Sequence, residues 1–357
     1  MIYDEIHDMM DTDILIIGAG PSGLSAALYL SSNGMDVTVA DRMSTETYDR
    51  YHSICGAGIS ERAFSRLEMI EPYHIRNRVE RGELVFPGGV KVTLPVKGYV
   101  LDRPAFLKKL KGRCMDNGCR FVRGTAVSVV REGEGFRTYL RDGTELSSHR
   151  IIGCDGAHSV VRRCLFGWRP KEMISTTECI VRGDPEPVFR MEMGERYNGM
   201  YRWKFPAGDD VSIGSVKGAI DTLDAVHTGS RMIPIGAEGP IEMNGAYLCG
   251  DSAGMPNPVC AGGLMAGMLA GQECARSILS GKSGGYQRWW DRSILSSRRF
   301  MMFHDTITGW KDEDFIKASR PFRDCGNIYL TGIKALLTQP RYAREYIGCI
   351  QTFRHSW

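Results

Sequence analysis

The sequence predicts an α/β protein built around a parallel sheet, and three strand–loop–helix stretches carry this prediction. The first is DILIIGAGPSGLSAALYL at 13–30, where apolar β-branched residues lead into glycines and then into a helical pattern. The second is HRIIGCDGAHSVVRRCL at 149–165, and the third is NGAYLCGDSAGMPNPVCAGGLMAGMLAGQECARSIL at 244–279. Short apolar strands followed by helices are typical of parallel sheets covered on both faces.

The glycines of the first stretch predict a phosphate-binding turn. Gly18, Gly20 and Gly23 match the pattern GxGxxG, in which the first glycine permits the turn and the second lets the backbone approach a pyrophosphate. A second strand in MDVTVADR ends at Asp41, whose carboxylate can accept hydrogen bonds from a ribose. Strand, glycines and acid together favour a dinucleotide site over an ordinary glycine corner. They leave open whether the ligand is FAD or NAD.

The order of the three stretches resembles that of the flavoproteins related to para-hydroxybenzoate hydroxylase. Their successive motifs GxGxxG, Asp-Gly and Gly-Asp are matched here by the turn at 18–23, by Asp155 and by Asp251. The resemblance implies FAD as cofactor, with Asp251 binding the ribityl chain and Asp155 lying in the same site. It also implies that the helix after Gly263 and Leu264 points its N-terminus at the flavin pyrimidine, an arrangement that favours the anionic reduced flavin.

Within that group the chain resembles the geranylgeranyl reductase family. SICGAGIS at 53–60 is similar to a cysteine–glycine segment that lies beside the isoalloxazine, and it matches through Cys55, Gly56 and Gly58. YVLDRPAFLKKL at 99–110 resembles the family's arginine-bearing helix start, which places Arg103 near FAD. Ala126 falls where the family's backbone touches the adenine.

A third element of the resemblance is the strand GMYRWKFPAGDDVSIGSV at 199–216. It matches the family's YxWxFP signature through Tyr201, Trp203 and Phe205, which alternation places on one face of a strand and which we expect to line the substrate pocket. Gly254 stands where the aromatic hydroxylases usually carry a histidine. The chain departs from the family at Cys260 and Ala261, where Thr-Gly is usual.

The resemblance implies an FAD-dependent reductase that transfers a hydride from flavin N5 to a carbon–carbon double bond of a polyprenyl lipid. An isolated alkene must also receive a proton, so we expect a proton donor beside the flavin. Cys55 is the leading candidate, as a thiol kept protonated by apolar surroundings, with space filling as the alternative. Cys260 could form a redox pair with it, and His52 could relay protons or lie in an exposed loop.

Composition excludes several other classes of protein. The chain of 357 residues has a net charge of +3, which predicts no nucleic-acid partner. Its eleven cysteines show no metal-ligand spacing and indicate reduced thiols, so we expect no metal site and a cytoplasmic location. No apolar run reaches the ~20 residues of a membrane span, although peripheral membrane contact stays open. We expect an external electron donor, which is NAD(P)H, ferredoxin or another reductant, and a second GxGxxG for a stable nicotinamide site is not visible.

We predict three structural parts. The FAD-binding, Rossmann-like three-layer domain is discontinuous, and an antiparallel-sheet substrate domain and a C-terminal helical segment accompany it. Their predicted ranges are 1–74, 101–170 and 239–285 for the first, 75–100 and 171–238 for the second, and 286–357 for the third. Three other functions on this fold remain alternatives: an aromatic monooxygenase, a flavin-dependent halogenase, and a flavin electron-transfer subunit without a small substrate.

Overall fold

The computed structural model describes residues 10–216, 220, 225–323 and 327–355, and the other parts of the predicted domains lie outside the described residues. The strands, in chain order, are β1 (Met10–Ile17), β2 (Val37–Asp41), β3 (Gly58–Ser60), β4 (Ile75–Val79), β5 (Arg81–Val85), β6 (Lys91–Leu94), β7 (Gly98–Leu101), β8 (Arg120–Arg123), β9 (Ala126–Glu132), β10 (Gly135–Leu140), β11 (Glu145–Gly153), β12 (Glu172–Arg182), β13 (Val188–Met193), β14 (Tyr201–Ala207), β15 (Asp210–Val216), β16 (Ala225–Ile235), β17 (Glu242–Met243) and β18 (Ala246–Leu248). The helices are α1 (Pro21–Ser31), α2 (Thr45–Ser53), α3 (Glu61–Phe64), α4 (Arg103–Asp116), α5 (Leu264–Leu279), α6 (Gly285–Arg292), α7 (Arg298–Ile307), α8 (Asp312–Ser319), α9 (Ile328–Thr338) and α10 (Ala343–His355).

The first large sheet has a parallel centre, as the apolar strands predict. Its order is β17-β18-β11-β1-β2-β8, with β9 and β10 attached as antiparallel strands. Ile14, Leu15 and Ile16 of β1 are fully buried because neighbouring strands and helices cover both faces. Helix α1 packs closely on α5 through small residues, and a Cβ on Gly271 would lie 2.3 Å from the carbonyl oxygen of Ser22.

The second large sheet is mostly antiparallel and has the order β16-β12-β15-β14-β13-β5-β6. Only the β13–β5 pair in it is parallel among the described strands. A third, small sheet, β3-β7-β4, joins it through a cluster that contains Phe189 and Phe205. The predicted fold class, a Rossmann-like domain with an antiparallel-sheet domain and C-terminal helices, is confirmed.

The C-terminal segment differs in detail from the sequence pattern. YQRWWDRSILSSRRFMMFHD reads as one amphipathic helix, but the structure divides it into α6 and α7, since Ser293 adopts an extended conformation and accepts a hydrogen bond from the Leu295 amide. Helix α10 begins soon after Pro340. Among the described residues, no helix has both the length and the apolar character that crossing a bilayer requires.

Candidate functional site

A cavity of about 550 Å³ lies at the seam between the two large sheets, and both contribute to its lining. The first sheet supplies the turn after β1, the end of β2 and the loop after β11, and the second supplies the inner faces of β12, β14 and β16. Apart from Gly23, every cofactor and substrate residue that the sequence predicts lines this cavity. The predicted set is therefore spatially coherent, although its members come from distant parts of the chain.

The glycine turn at the start of α1 is shaped differently at each of its three glycines. Gly18 has a φ of +104°, and a Cβ there would lie 2.3 Å from the carbonyl oxygen of Cys154. A Cβ on Gly23 would lie 2.0 Å from the carbonyl oxygen of Gly18, so this glycine is required by packing within the turn. A Cβ on Gly20 would meet nothing within 4 Å. The surface at Gly20 is thus open to the cavity, as close approach of a phosphate requires.

Helix α1 presents its N-terminus at the same place. Gly20 is its N-cap, its first turn contains no acidic residue, and no side chain caps it. Backbone N–H groups at such an end favour an anion. The pyrophosphate of a dinucleotide fits this end of the cavity.

Asp41 anchors the turn from the end of β2. Its Oδ2 accepts a hydrogen bond of 2.7 Å from the Ala19 amide, and its Oδ1 accepts one of 2.8 Å from the Met43 amide. A carboxylate oxygen can accept more than one hydrogen bond, so both oxygens can also accept bonds from a ribose. Ala126, at the start of β9, lines the cavity as well.

Asp155 and Asp251 bring two buried carboxyl groups to the cavity. The Oδ2 atom of Asp155 accepts hydrogen bonds from the Val160 amide at 2.6 Å and the Val161 amide at 3.2 Å. Its Oδ1 is buried and has no partner in the described part of the chain, and burial raises the pKa of this carboxyl. Burial also raises the pKa of Asp251, and Arg103 and then Arg231 partly offset this. Buried acceptors of this kind suit the hydroxyl groups of a bound ligand.

The loop before α5 brings the backbone close to Asp251. A Cβ on Gly263 would lie 3.1 Å from Cγ of Pro256 and 3.3 Å from Oδ1 of Asp251, so a larger residue would crowd this carboxylate. Leu264 begins α5, and both Gly263 and Leu264 line the cavity. With the ends of α1 and α5, the unpartnered Asp155 oxygen and the open surface at Gly20, the residues present fit FAD.

The cysteine–glycine loop lies against the face of β14. A Cβ on Gly56 would lie 3.0 Å from the Phe205 ring and 3.1 Å from Nε1 of Trp203. A Cβ on Gly58 would lie 2.8 Å from the Phe189 ring. Glycines here allow the loop to touch the aromatic side chains directly.

The surroundings of Cys55 differ from the apolar ones that we expected. The side chain is half-buried, accepts a hydrogen bond of 3.4 Å from the Ala57 amide, and has a hydrogen bond with Arg103. Arg103 is the first residue of α4 and lines the cavity on this side, so the neighbours of Cys55 are not all apolar. The role of Cys55 as an acid stays a prediction.

Three aromatic residues of β14 share the face that lines the cavity, as the alternation predicts. The Tyr201 hydroxyl donates a hydrogen bond of 2.5 Å to the Cys260 carbonyl, and Nε1 of Trp203 donates one of 3.1 Å to Oγ of Ser212. Phe205 packs edge-on against Phe189 with ring centroids 4.9 Å apart. This strand thus forms an apolar wall, and the polar atoms of Tyr201 and Trp203 at its edge are hydrogen-bonded within the protein.

Several other sequence expectations change in the structure. His52 is buried against Tyr48 and is not in an exposed loop. Burial lowers the pKa of His52 well below its usual range, and Arg103 and Arg231 lower it further, so its imidazole is neutral. Cys55 and Cys260 are both free thiols, and a redox pair between them stays a prediction.

The arginines after Asp155 face different surroundings. Arg162 donates 2.7 Å hydrogen bonds to the carbonyls of Ser252 and Ala157. It therefore connects the loop that carries Asp251 with the loop that carries Asp155, and it does not line the cavity. Arg163 is exposed, as expected of a surface arginine.

Sequence reasoning missed two charged residues on the second-sheet side of the cavity, Glu178 and Arg231. Glu178 lies on β12 and is only 4% exposed, and Arg231 lies on β16 with its guanidinium carbon 3.2 Å from the ring centroid of Tyr51. The available signal was an acid at an inward position of the strand TTECIVR.

Comparison with known proteins agrees with this geometry. The model of an FAD binding domain matches residues 11–71. A digeranylgeranylglycerophospholipid reductase from Methanopyrus kandleri is 29% identical over 309 residues, which cover 74% of this chain and 79% of the relative.

Two solved structures show the same fold. A geranylgeranyl bacteriochlorophyll reductase-like protein from Thermoplasma acidophilum superposes with a TM-score of 0.78 at 18% identity, covering 94% of this chain and 98% of that one. The flavin-dependent halogenase CmlS superposes with a TM-score of 0.69 at 14% identity, covering 95% of this chain and 72% of the halogenase. Likeness at such identities shows the fold alone.

Proposed function

From its membership of the geranylgeranyl reductase family of FAD-binding proteins, we propose that this chain reduces carbon–carbon double bonds of a polyprenyl lipid. The bound FAD supplies the two electrons as a hydride from N5. The substrate class rests on the relatives' names together with the shape and lining of the cavity, and the number of bonds reduced is left open.

The observation that carries the proposal is the continuity of one cavity from the nucleotide turn to an apolar wall. Gly20 and Asp41 line it together with Tyr201, Trp203 and Phe205. The wall binds a hydrocarbon by removing apolar surface from water, at roughly 25 cal/mol for each Å² buried. A substrate there lies beside the residues that would hold the flavin.

The residues of the chain hold and orient the cofactor. We propose that the N–H groups at the start of α1 bind the pyrophosphate, that Asp41 binds the adenosine ribose, and that Asp251 binds the ribityl chain. Arg103 keeps positive charge beside the Cys55 loop, and the apolar β14 face excludes water from the reacting carbons. Cys55 stays a candidate contact of the flavin, with its role as an acid untested.

The test is a single-turnover experiment. Protein reduced by light under anaerobic conditions is mixed with a geranylgeranyl lipid, and flavin absorbance and product mass are followed. Reoxidation of the flavin with a gain of two hydrogens per reduced bond supports the proposal. Failure of the lipid to reoxidise the flavin, with rapid oxygen consumption when NADPH and an aromatic compound are supplied, would instead favour a monooxygenase.

We propose an external reductant, since the sequence shows no second GxGxxG for a stable nicotinamide site. Reduction of the bound flavin by NADPH, by NADH and by reduced ferredoxin in separate anaerobic mixtures distinguishes the donors. The donor that reduces the flavin at a rate matching lipid turnover is the physiological class.

We also propose a cytoplasmic protein that contacts the membrane surface through α9 and α10. Tyr329, Leu330, Ile333 and Leu337 of α9 are exposed, the last to 79%, and these positions share one helical face. Residues 327–355 contain four Lys and Arg against one acidic residue. An exposed apolar helical face, in a segment with an excess of basic residues, matches a bilayer that contains anionic lipids. The inner side of these helices packs against the cluster that contains Phe205.

Sedimentation with vesicles tests this contact. Leu337→Glu should reduce binding to vesicles of anionic phospholipid, whereas Met115→Glu on α4, which also alters an exposed apolar residue, should not. Equal binding of both variants and the unmodified chain would remove the membrane surface from the proposal.

A further inference from the structure

We propose that Glu178 is the proton-donating residue of this cavity, a role that rests on the proposed alkene reduction. Glu178 lies on β12, lines the cavity, and is 4% exposed. A double bond that is reduced must gain one proton as well as one hydride. The sequence alone suggests Cys55 as the leading candidate for the proton donor.

The sheet gives Glu178 an unusual pair of neighbours. Its partner on β15 is Gly214, and its partner on β16 is Gly229. The space beside Gly214 is occupied by the Trp203 ring, since a Cβ there would lie 1.8 Å from that ring, and the space beside Gly229 is occupied by Ile54, with 2.2 Å to its Cδ1. The two glycines therefore admit an indole and an aliphatic side chain on either side of the carboxyl group.

The hydrogen bonds around Glu178 determine which oxygen can carry a proton. The indole Nε1 of Trp203 can only donate, so Oγ of Ser212 accepts from it at 3.1 Å. The Ser212 hydroxyl hydrogen then points to Oε1 of Glu178, at 2.5 Å. With the Ser212 hydroxyl donating in this direction Oε1 is an acceptor, and Oε2 is the oxygen that we propose carries the proton.

Burial and the neighbouring charges together give Glu178 a pKa at which its proton can exchange near neutral pH. Burial raises the pKa of Glu178 to about 7, although Ser212, Arg103, Arg231 and the Cys55 backbone lower it in part. Another titratable group of the cavity, His52 of α2, is neutral because burial lowers its pKa. A general acid is most effective when its pKa lies near the working pH.

Glu83 shows that burial alone does not produce this state. It lies in the same sheet and is 2% exposed, but Lys91 is 2.9 Å and Arg190 is 3.0 Å from its Oε2. Burial raises the pKa of Glu83, but these cations outweigh it and the net pKa is lowered. Glu83 does not line the cavity among the described residues, and it is the matched control.

One hydride and one proton add across the double bond in the proposed step. The π bond of the alkene breaks and two C–H bonds form, one from the hydride that reduced FAD supplies and one from the proton on Oε2. Glu178 is left as a carboxylate and regains a proton from water before the next turnover. The electrons come from the external reductant already proposed, so no further oxidant or reductant is needed.

Infrared titration of the protein without FAD tests the proton itself. We expect the carbonyl band of a protonated carboxylic acid to disappear as the pH rises through about 7, to be absent in Glu178→Gln, and to persist in Glu83→Gln. Ser212→Ala removes a hydrogen bond that lowers the pKa, so its midpoint should shift to higher pH. A band that Glu178→Gln leaves in place, or a midpoint that Ser212→Ala leaves unmoved, would overturn the assignment.

Single-turnover kinetics test the delivery of the proton. Glu178→Gln should slow reoxidation of the flavin by lipid about 100-fold or more, with reduction of the flavin by dithionite unchanged, and Glu178→Asp should restore part of the rate. Equal lipid rates in Glu178→Gln and the unmodified chain would refute the role. If the unmodified chain does not react with lipid, the proposed function fails, while the infrared titration still decides whether Glu178 holds the proton.

Discussion

Replacing Gly20 and Gly23 separately by alanine tests where the pyrophosphate lies. Gly20 has φ −78° and ψ −175°, which alanine adopts without strain, and a Cβ there meets nothing within 4 Å. The smaller entropy of the unfolded chain stabilises the variant by roughly 0.4–1 kcal/mol, and alanine is a poorer N-cap than glycine by about 0.5–1 kcal/mol, which offsets this gain. We therefore expect the unfolding free energy of the protein without FAD to change by about 0.5 kcal/mol or less.

The same methyl group occupies the surface that the pyrophosphate must approach. Gly20→Ala should weaken FAD binding about 10-fold or more, or about 1.4 kcal/mol, in a titration followed by flavin fluorescence. Gly23→Ala differs, since its Cβ would lie 2.0 Å from a backbone oxygen, and it should cost about 3 kcal/mol or more in urea unfolding without FAD. FAD affinity of Gly20→Ala equal to that of the unmodified chain would refute the position of the pyrophosphate.

Four further outcomes are expected. Asp251→Ala should purify with little bound FAD, measured as the ratio of absorbance at the flavin and protein bands, and full occupancy would contradict its assignment. Cys55→Ser should slow the lipid half-reaction more than flavin reduction in stopped flow, and equal effects on both would leave Cys55 a packing residue. Tyr201→Phe loses the bond to Cys260 and should lower the unfolding free energy by about 1 kcal/mol, whereas no change would show that this bond adds nothing. The pKa of Glu178 is about 7 in the folded chain and lies above the unfolded value, so the free energy of unfolding falls as the pH rises from 4.5 to about 7. Relative to the unmodified chain, the free energy of unfolding of Glu178→Gln without FAD should therefore rise by about 3 kcal/mol across that pH range. A difference between the two proteins that does not change with pH would contradict the raised pKa.

The nucleotide end of the site could be predicted from the sequence because its signals are local. The strand, glycines and acid around Gly18 and Asp41 lie within one short segment. Each has a definite place in a strand–turn–helix unit, and the spacing of the residues in the sequence reveals that unit. The face of β14 was also predictable, since alternation alone puts Tyr201, Trp203 and Phe205 on one side.

Glu178 and Arg231 could not be predicted in the same way. Their importance depends on which strands are neighbours, because Glu178 gains its surroundings from Gly214 on β15 and Gly229 on β16. His52 was misjudged for a different reason, since its segment forms helix α2, on which Tyr48 lies four residues earlier and packs against the imidazole. Pairing between distant segments is not visible in a local pattern.

The site is completed only by long-range pairing. Strand β1 lies between β2 and β11, with Ile14 opposite Arg150, and α1 packs against α5, where Ser25 bonds to the Met268 carbonyl. A high contact order of this kind slows folding, since distant segments must meet before the central strand is satisfied. A nascent chain cannot complete the proposed flavin site until Asp251 and the start of α5 have emerged, so the yellow colour of the protein would report that these distant segments have met.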